Sequence, residues 1–359
     1  MLSLGAGFFG FKWLNVGKAL ATSFQPQQPK ILRRPQWLGT TFSQLQCHYM
    51  GLDYRESFQQ LLSLGFDCIR LCSYWNEVEA QENQFNFTTL DWLLDECHKH
   101  KVSVVLTVGM KAPRWPEFHF PDWVQARYDT SSHPKPIDRQ TELADRTLQF
   151  TEKVVAHTKA SPVIQYWQVE NEPFTRMDIT GGRYLSHEFV QREVELVRSR
   201  ILPHQQILLT NAITLPAAQI AEDDHAFQKS LALADGIGIN VYTKVPIANS
   251  AFYVEPLPPF WTKLNNWQSL IQDANKTAWI AEAQAEPWEP NELVAMKKTE
   301  YPSSTPKRLE NLVVSLTDIG YSPVLLWGCE YWYWNKKNGR NLWWWTVERL
   351  IESDRPVLN

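Results

Sequence analysis

Apolar and polar residues recur along the chain with two different periods. Segments such as 68–75 (CIRLCSYW) and 102–109 (VSVVLTVG) are short, nearly continuous apolar runs, which are typical of buried parallel strands. Segments such as 54–67 and 88–101 instead repeat apolar residues every three or four positions, the spacing of amphipathic helices. The pattern therefore predicts strands and helices in alternation.

Eight predicted strands follow one another, each succeeded by a predicted helix. The strands are 36–42, 68–75, 102–109, 163–169, 207–212, 236–242, 277–283 and 323–330, and the helices are 54–67, 88–101, 141–159, 186–201, 216–233, 260–275, 306–319 and 342–353. Eight βα units predict an α/β fold, a single-domain (β/α)8 TIM barrel. A doubly wound sheet is the competing architecture, but no GxGxxG follows the first strand and no P-loop pattern occurs.

The barrel is predicted to occupy residues 36–359, preceded by an extension and linker at residues 1–35. The linker reading rests on the Pro/Gln-rich stretch 25–35. The earlier segment LGAGFFGF is apolar but short and Gly-rich, and Ala19-Leu20-Ala21 has the small-residue character of a cleavage site. Export, or a weak N-terminal anchor, is therefore the alternative to a cytoplasmic location.

Composition narrows the classes of partner. The net charge of −4 and the pI near 6.2 give no basic surface, so nucleic acid is not an expected partner. The 17 tryptophans are unusual, and indole faces suit the C–H faces of sugar rings as well as protein cores. The tryptophan content alone does not distinguish a carbohydrate substrate from a tryptophan-rich core, and the sequence predicts no oligomeric state.

The cysteines and histidines predict no metal site and no cofactor. Five cysteines are scattered without a CxxC pair and nine histidines show no clustering, so neither a disulfide framework nor a zinc site is expected. The thiols read as small core residues, and free thiols favour the reducing cytoplasm. No apolar run approaches the roughly 18 residues that a membrane span needs.

Polar residues stand where the predicted strands end. In a barrel of this type the chemistry lies at the carboxyl ends of the strands. Glu172 ends the fourth strand and Glu282 the seventh, so the two carboxylates face each other across the barrel mouth. Such a pair suits glycoside hydrolysis, in which one carboxyl protonates the leaving oxygen and the other attacks or activates water.

Three segments carry a family resemblance. WQVENEP at 167–173 resembles the fourth-strand motif of clan A glycoside hydrolases, and TAWIAEAQAEPW at 277–288 is similar to their seventh-strand nucleophile segment. Residues 75–115 resemble the second and third βα units of family 42 β-galactosidases. The resemblance extends from about residue 39 to 351, and it implies a retaining glycosidase that acts on β-glycosidic bonds.

The resemblance also implies roles for individual residues. Glu172 would be the general acid/base and Glu282 the nucleophile, with the carboxyl groups roughly 5–5.5 Å apart. Arg70 and Tyr242 would donate hydrogen bonds to Glu282, while desolvation by Trp167 or Trp115 would keep Glu172 protonated. The other implied contacts with the sugar come from Asn171, at the 2-hydroxyl, and from the platform Trp327. Glu170 would brace the site through hydrogen bonds.

Several positions keep alternative readings. Glu286 is the rival of Glu282 as nucleophile, but it lies beyond the apolar strand, already in the loop. Glu330 would contact a sugar hydroxyl or satisfy the loop backbone. Trp332 is predicted in a loop at the active face, where it would contact substrate, whereas Lys111 and His119 are expected to be solvated.

Two further functions remain open on the sequence. A transglycosylase would use the same residues and pass the glycosyl group to a sugar. A barrel that binds carbohydrate without cleaving it is the other alternative, although such a protein has no need for both carboxylates and their partners.

Overall fold

The structure is a computed structural model that describes residues 34–353, apart from 132–134, 177–179, 216–219, 248, 249, 251 and 291. The predicted N-terminal extension lies outside the described residues up to position 33, and the predicted export signal lies there too. Arg34, at the end of the predicted linker, is buried and donates a hydrogen bond to the carbonyl of Ile351.

Eight parallel strands form a closed barrel. They are β1 (Leu38–Thr41), β2 (Cys68–Cys72), β3 (Ser103–Val108), β4 (Ile164–Val169), β5 (Gln206–Ala212), β6 (Gly236–Val241), β7 (Thr277–Gln284) and β8 (Val324–Trp327). Each strand pairs with its neighbours in chain order, and β8 pairs with β1 to close the ring. The predicted (β/α)8 barrel is confirmed.

The helices surround the barrel. Their bounds are Gln44–Tyr49, Tyr54–Leu62, Trp75–Val78, Thr88–His100, Asp122–Arg127, Thr141–Thr158, His187–Arg200, Ile220–Leu233, Pro258–Asp273, Pro306–Ile319, Cys329–Lys337 and Leu342–Glu352, with a 3-10 turn at Ile137–Arg139. A short antiparallel pair, Val245–Pro246 with Tyr253–Val254, follows β6. The last predicted strand, 323–330, ends at Trp327 in the structure, and Trp332, which was predicted to lie in a loop, lies on the helix Cys329–Lys337.

Local sequence signals set several of the helix boundaries. Asp53, Ser186 and Thr305 each accept a hydrogen bond from the backbone N–H three residues later, which caps the helix that follows. Gly320 ends the helix Pro306–Ile319 with φ of 100°, a left-handed conformation that glycine adopts without steric cost.

The interior of the barrel changes from apolar to polar along the strands. Its amino-terminal half is a separate apolar cluster made of Cys68, Val105, Leu208, Trp279 and Leu325. Because side chains on one face of a strand recur every second residue, the next inward positions on β2 and β4 are Arg70 and Gln168. Arg70 donates to Gln168 across the interior at 3.1 Å, so polar groups begin where the active face begins.

A β-bulge in β7 changes the direction of the side chains at the end of this strand. Ile239 of β6 pairs with Ile280, but the next residue, Asn240, pairs with Glu282, so β7 contains one extra residue at Ala281. A β-bulge of this type re-aims the side chains that follow it. With strict alternation from the inward Trp279, Glu282 would point away from the interior. The bulge instead turns it toward the barrel axis.

The described residues contain five free cysteines, all buried, as predicted for core residues. Within the same part of the chain, each helix is too short or too polar to cross a bilayer.

Candidate active site

A cavity of about 490 Å³ opens at the carboxyl ends of the strands. It contains Glu172 and Glu282, as the strand-end argument predicted, together with residues from the loops that follow β3, β5, β6 and β7. The other predicted site residues that line it are Asn171, Tyr242, Trp115 and Trp327.

Glu282 accepts a hydrogen bond on each carboxylate oxygen. Arg70 donates to Oε1 at 2.7 Å and the Tyr242 hydroxyl donates to Oε2 at 2.7 Å. The guanidinium of Arg70 is fully buried and is also fixed by Thr41 at 2.9 Å. Charge-assisted donors of this kind stabilise an ionised carboxylate.

Glu172 has a contrasting environment. It follows β4 with φ of 44°, a left-handed conformation that is costly for a residue with a side chain and that clusters at functional sites. Asn240 donates to its Oε1 at 2.6 Å. Burial raises the pKa of Glu172 to about 8, helped by the negative charges of Glu117 and Glu282, while Lys111 and the Asn240 hydrogen bond oppose the shift.

Asn240 connects the two carboxylates. It lies opposite Glu282 in the β6–β7 register and donates its side-chain amide to Glu172. Glu172, Asn240 and Glu282 all line the same cavity. The sequence alone assigned no role to Asn240, because its partner Glu172 lies 68 residues earlier in the chain.

Glu170 braces the loop after β3, as its predicted role requires. The buried carboxylate accepts the backbone N–H groups of Met110 at 2.9 Å and Lys111 at 2.5 Å. Gly109 leaves room for it, since a Cβ at that position would lie 2.3 Å from Glu170 Oε1. The left-handed φ of 109° at Gly109 gives glycine a second advantage there.

Lys111 is part of the site, although the sequence analysis expected it to be solvated. Its side chain is fully buried, and its ammonium group donates to the carbonyl of Glu172 at 3.0 Å and pairs with Glu117 at 3.1 Å. Glu117 also lines the cavity. His119 is buried as well, and burial lowers its pKa to about 4, so the expectation of a solvated side chain is wrong there too. A lysine three residues after a buried strand, at the end where the site lies, is the signal that could have placed Lys111 in the site.

Glu330 belongs to an ion cluster with Arg114 and Glu286, which both line the cavity. It is buried, accepts the backbone N–H of Ser43 at 2.6 Å and pairs with Arg114, which also pairs with Glu286. Glu330 is not among the described residues that line the cavity, and its hydrogen bond with Ser43 agrees with the alternative interpretation, in which it satisfies the loop backbone.

The tryptophans fall into two groups. Trp115 and Trp327 both line the cavity, and Trp115 is 56% exposed. The guanidinium of Arg114 lies 4.1 Å from the ring centroid of Trp327. Trp332 was predicted as a substrate contact, but it is fully buried on a helix and donates to the carbonyl of Ala285 at 2.6 Å. Trp167 lies in the hydrophobic core and donates to Gln205, so its predicted desolvation of Glu172 is not observed.

Cavity residues that the sequence analysis missed include Trp288, in the loop after β7. Its ring meets that of Tyr242 edge to face, with centroids 5.4 Å apart. Among the described residues, no group of three His, Cys, Asp or Glu side chains is arranged to hold a metal ion.

The sequence of residues 51–190 matches the model of glycoside hydrolase family 42, described as β-galactosidase. These residues include β2, β3 and β4 and the segment that carries Glu170 and Glu172. The match confirms the predicted resemblance to clan A glycoside hydrolases and supports a glycosidase. No curated protein sequence matches the chain.

Solved structures of several glycoside hydrolases share the fold. The β-galactosidase of Halorubrum lacusprofundi aligns with a TM-score of 0.53 and 13% identity over 81% of this chain and 52% of its own length. A GH5_18 enzyme from Streptomyces cattleya gives 0.57 and 14% over 91% and 83%. Xylanase 10B from Thermotoga petrophila RKU-1 gives 0.57 and 13% over 90% and 98%. The chain thus spans about half the length of the first of these, the β-galactosidase.

Proposed function

We propose that this chain is a retaining glycosidase that cleaves β-glycosidic bonds, with Glu282 as the nucleophile and Glu172 as the general acid/base. The observation that carries the proposal is the unequal treatment of two carboxyl groups in one cavity. Glu282 receives a donor on each oxygen, from Arg70 and Tyr242. Glu172 is desolvated and keeps its proton at neutral pH because its pKa is raised to about 8.

In the first step, a carboxylate oxygen of Glu282 attacks the anomeric carbon as the glycosidic C–O bond breaks. The proton of Glu172 passes to the departing oxygen, so the aglycone leaves as a neutral alcohol. The product of this step is a glycosyl ester of Glu282, and Glu172 is left ionised.

In the second step, water attacks the anomeric carbon and the ester bond to Glu282 breaks. The Glu172 carboxylate takes the proton of that water and returns to its starting state. Asn171, at the same strand end as Glu172, is positioned in the cavity to contact a sugar hydroxyl. Trp327 and the exposed Trp115 provide aromatic faces for the substrate.

This assignment has a pH signature. The first step needs protonated Glu172, and kcat/KM reports the protonation of the free enzyme. Because the pKa of Glu172 lies at about 8, kcat/KM is expected to fall as the pH rises through that value. The position of this basic limb separates the assignment from one in which an ordinary carboxyl is the acid.

The test is hydrolysis of a panel of nitrophenyl β-glycosides (galactoside, glucoside, mannoside, xyloside and fucoside) by wild type and by Glu282→Ala, with and without azide. The expected result is turnover of at least one sugar, loss of turnover in the variant, and its restoration by azide with a glycosyl azide of inverted configuration. Glu172→Gln should keep turnover only of glycosides with good leaving groups, because these need little protonation.

Wild-type rates in both variants would contradict the assignment of the two glutamates. If wild type is silent on every glycoside but binds sugars, the barrel is a carbohydrate-binding protein instead. Product analysis with an added sugar acceptor distinguishes transglycosylation from hydrolysis, since both use the same two carboxyl groups.

A further inference from the structure

We propose that Glu117, held by the buried Lys111, is a positioning residue that keeps the proton on Glu172 in the free enzyme. This inference rests on the proposed function in so far as Glu172 is the acid, but the protonation of Glu172 can be measured without any activity. Glu117 favours the protonated form of Glu172, and Lys111 favours the ionised form.

Lys111 makes four polar contacts, two through its backbone and two through its ammonium group. Its backbone N–H donates to Glu170, and its carbonyl accepts the N–H of Asn171 at 2.7 Å. Its ammonium group donates to the carbonyl of Glu172 at 3.0 Å and pairs with Glu117 at 3.1 Å. A fully buried lysine with these partners cannot move away from the catalytic strand end, so its charge has a fixed position relative to Glu172.

The loop that supplies Glu117 is folded to return this residue to the cavity. Residues 111–118 close on themselves, because Ala112 N–H donates to the Glu117 carbonyl at 2.8 Å and Glu117 N–H donates to the Arg114 carbonyl at 2.7 Å. Glu117 itself has φ of 64°, a left-handed conformation that costs free energy for a residue with a Cβ. The strained conformation places the carboxyl group of Glu117 in the cavity that also contains Glu172 and Glu282.

The charged and titratable groups that face Glu172 come from several strand ends. Lys111 and Glu117 follow β3, Glu282 lies on β7 with its partner Arg70 on β2, and the Tyr242 hydroxyl follows β6. Glu282, which pairs with Arg70 at 2.7 Å, also raises the pKa of Glu172, but its influence is smaller than those of Glu117 and Lys111. Lys111 and Glu117 form a second ion pair, and they are the two charged residues with the largest influence on the pKa of Glu172.

Without Glu117, the Lys111 ammonium would be an uncompensated cation beside the acid. A nearby cation favours the ionised carboxylate, and an acid that has already lost its proton cannot assist departure of the aglycone. Burial is the largest cause of the raised pKa of Glu172, the charge of Glu117 acts in the same direction, and Lys111 opposes both. Glu117 thus offsets the effect of the Lys111 charge on the pKa of Glu172.

The experiment uses full-length protein labelled with 13C at the glutamate carboxyl carbons. The Glu172 signal is identified by its loss in Glu172→Gln, and its titration is followed by NMR in wild type, Glu117→Gln, Lys111→Met and the double variant. The basic limb of kcat/KM is measured on the same proteins. Glu117→Asp, which keeps the charge, is the conservative control.

Opposite shifts are expected from the two single variants. The titration midpoint of Glu172 should fall by about one pH unit in Glu117→Gln and rise by about one unit in Lys111→Met. The double variant and Glu117→Asp should both lie within about half a unit of wild type. The basic limb of kcat/KM should move with the midpoint in each protein.

An unchanged midpoint in Glu117→Gln would overturn the inference. Shifts of both single variants in the same direction would overturn it too, because they would indicate a general disturbance of the site. If Lys111→Met does not fold, Glu117→Gln and Glu117→Asp together still decide the question. Because the NMR midpoint needs no turnover, an inactive wild type would count against the proposed function alone.

Discussion

Two arginines lie against the indole of Trp327, and their surroundings differ in a useful way. Arg70 and Arg114 have guanidinium carbons 5.8 and 4.1 Å from the ring centroid of Trp327. Arg70 comes from a barrel strand and pairs with one carboxylate, Glu282. Arg114 comes from a loop and pairs with two, Glu286 and Glu330.

The two arginine–glutamate pairs differ in their other partners. Both Glu282 and Glu286 line the cavity, but Glu282 accepts hydrogen bonds from Arg70 and Tyr242, whereas Glu286 shares Arg114 with Glu330. At Glu286 the strongest influence is burial, which raises its pKa, and Arg114 acts in the opposite direction. Arg114 also holds Glu330, which in turn fixes the backbone of Ser43. The Arg114 cluster therefore stabilises the wall of the cavity.

The largest expected effect separates the two glutamates of the seventh strand and its loop. Glu282→Gln should lower kcat/KM by at least about 10⁴-fold, because the nucleophile is lost. Glu286→Gln should lower it by less than about 10-fold, since a neutral amide can still accept from Arg114. Steady-state kinetics on the best glycoside of the panel measures both, and the reverse order would make Glu286 the nucleophile.

Substitution of Arg70 should lower kcat/KM more than substitution of Arg114, just as substitution of Glu282 should lower it more than substitution of Glu286. Arg70→Met should lower kcat/KM by about 10²- to 10³-fold, because Glu282 loses the donor on one oxygen. Arg114→Met should cost about 10-fold or less in kcat/KM. Each change leaves buried carboxylate charge uncompensated, so each should also lower the free energy of unfolding by about 3–5 kcal/mol. Kinetics and urea unfolding are measured together, and equal losses of activity would remove the distinction.

A steric change can test the Arg114 cluster without altering its charges. In Gly328→Ala the new Cβ would lie 2.6 Å from the Cβ of Glu286, at a left-handed φ of 132°. We expect a loss of about 2–4 kcal/mol in the free energy of unfolding, from overlap and backbone strain together. Gly339→Ala is the matched control, because its φ is also left-handed at 75° but no atom lies within 4 Å of the new Cβ. Equal losses in urea unfolding would show that overlap with Glu286 is unimportant.

The smallest expected effect concerns Trp332, next to the Arg114 cluster. Trp332→Phe removes the donor to the carbonyl of Ala285, the residue before Glu286. The free energy of unfolding should fall by about 1–3 kcal/mol, while KM for the best glycoside stays within about twofold of wild type. A large rise in KM would instead restore the predicted contact between Trp332 and substrate.

The sequence by itself determined the fold and the positions of the two acids. Near-continuous apolar runs followed by helical spacing predicted eight strands and a closed barrel, since only buried parallel strands need such runs. In a barrel the strand ends converge, so Glu172 and Glu282 could be placed at one mouth from their positions in the chain. Periodicity could not show that β7 contains the bulge that turns Glu282 inward.

Only the tertiary structure decided which charges surround each acid. Lys111 was expected in solvent and Glu330 and Trp332 at the substrate, but burial and partners distant in sequence place Lys111 beside Glu172, Glu330 beside Arg114 and Trp332 against Ala285. The pKa of a carboxyl group depends on desolvation and on charges within a few ångströms, and both are properties of the assembled site. Glu172 and Glu282 are the same residue type, but Lys111 and Asn240 contact Glu172, whereas Arg70 and Tyr242 contact Glu282.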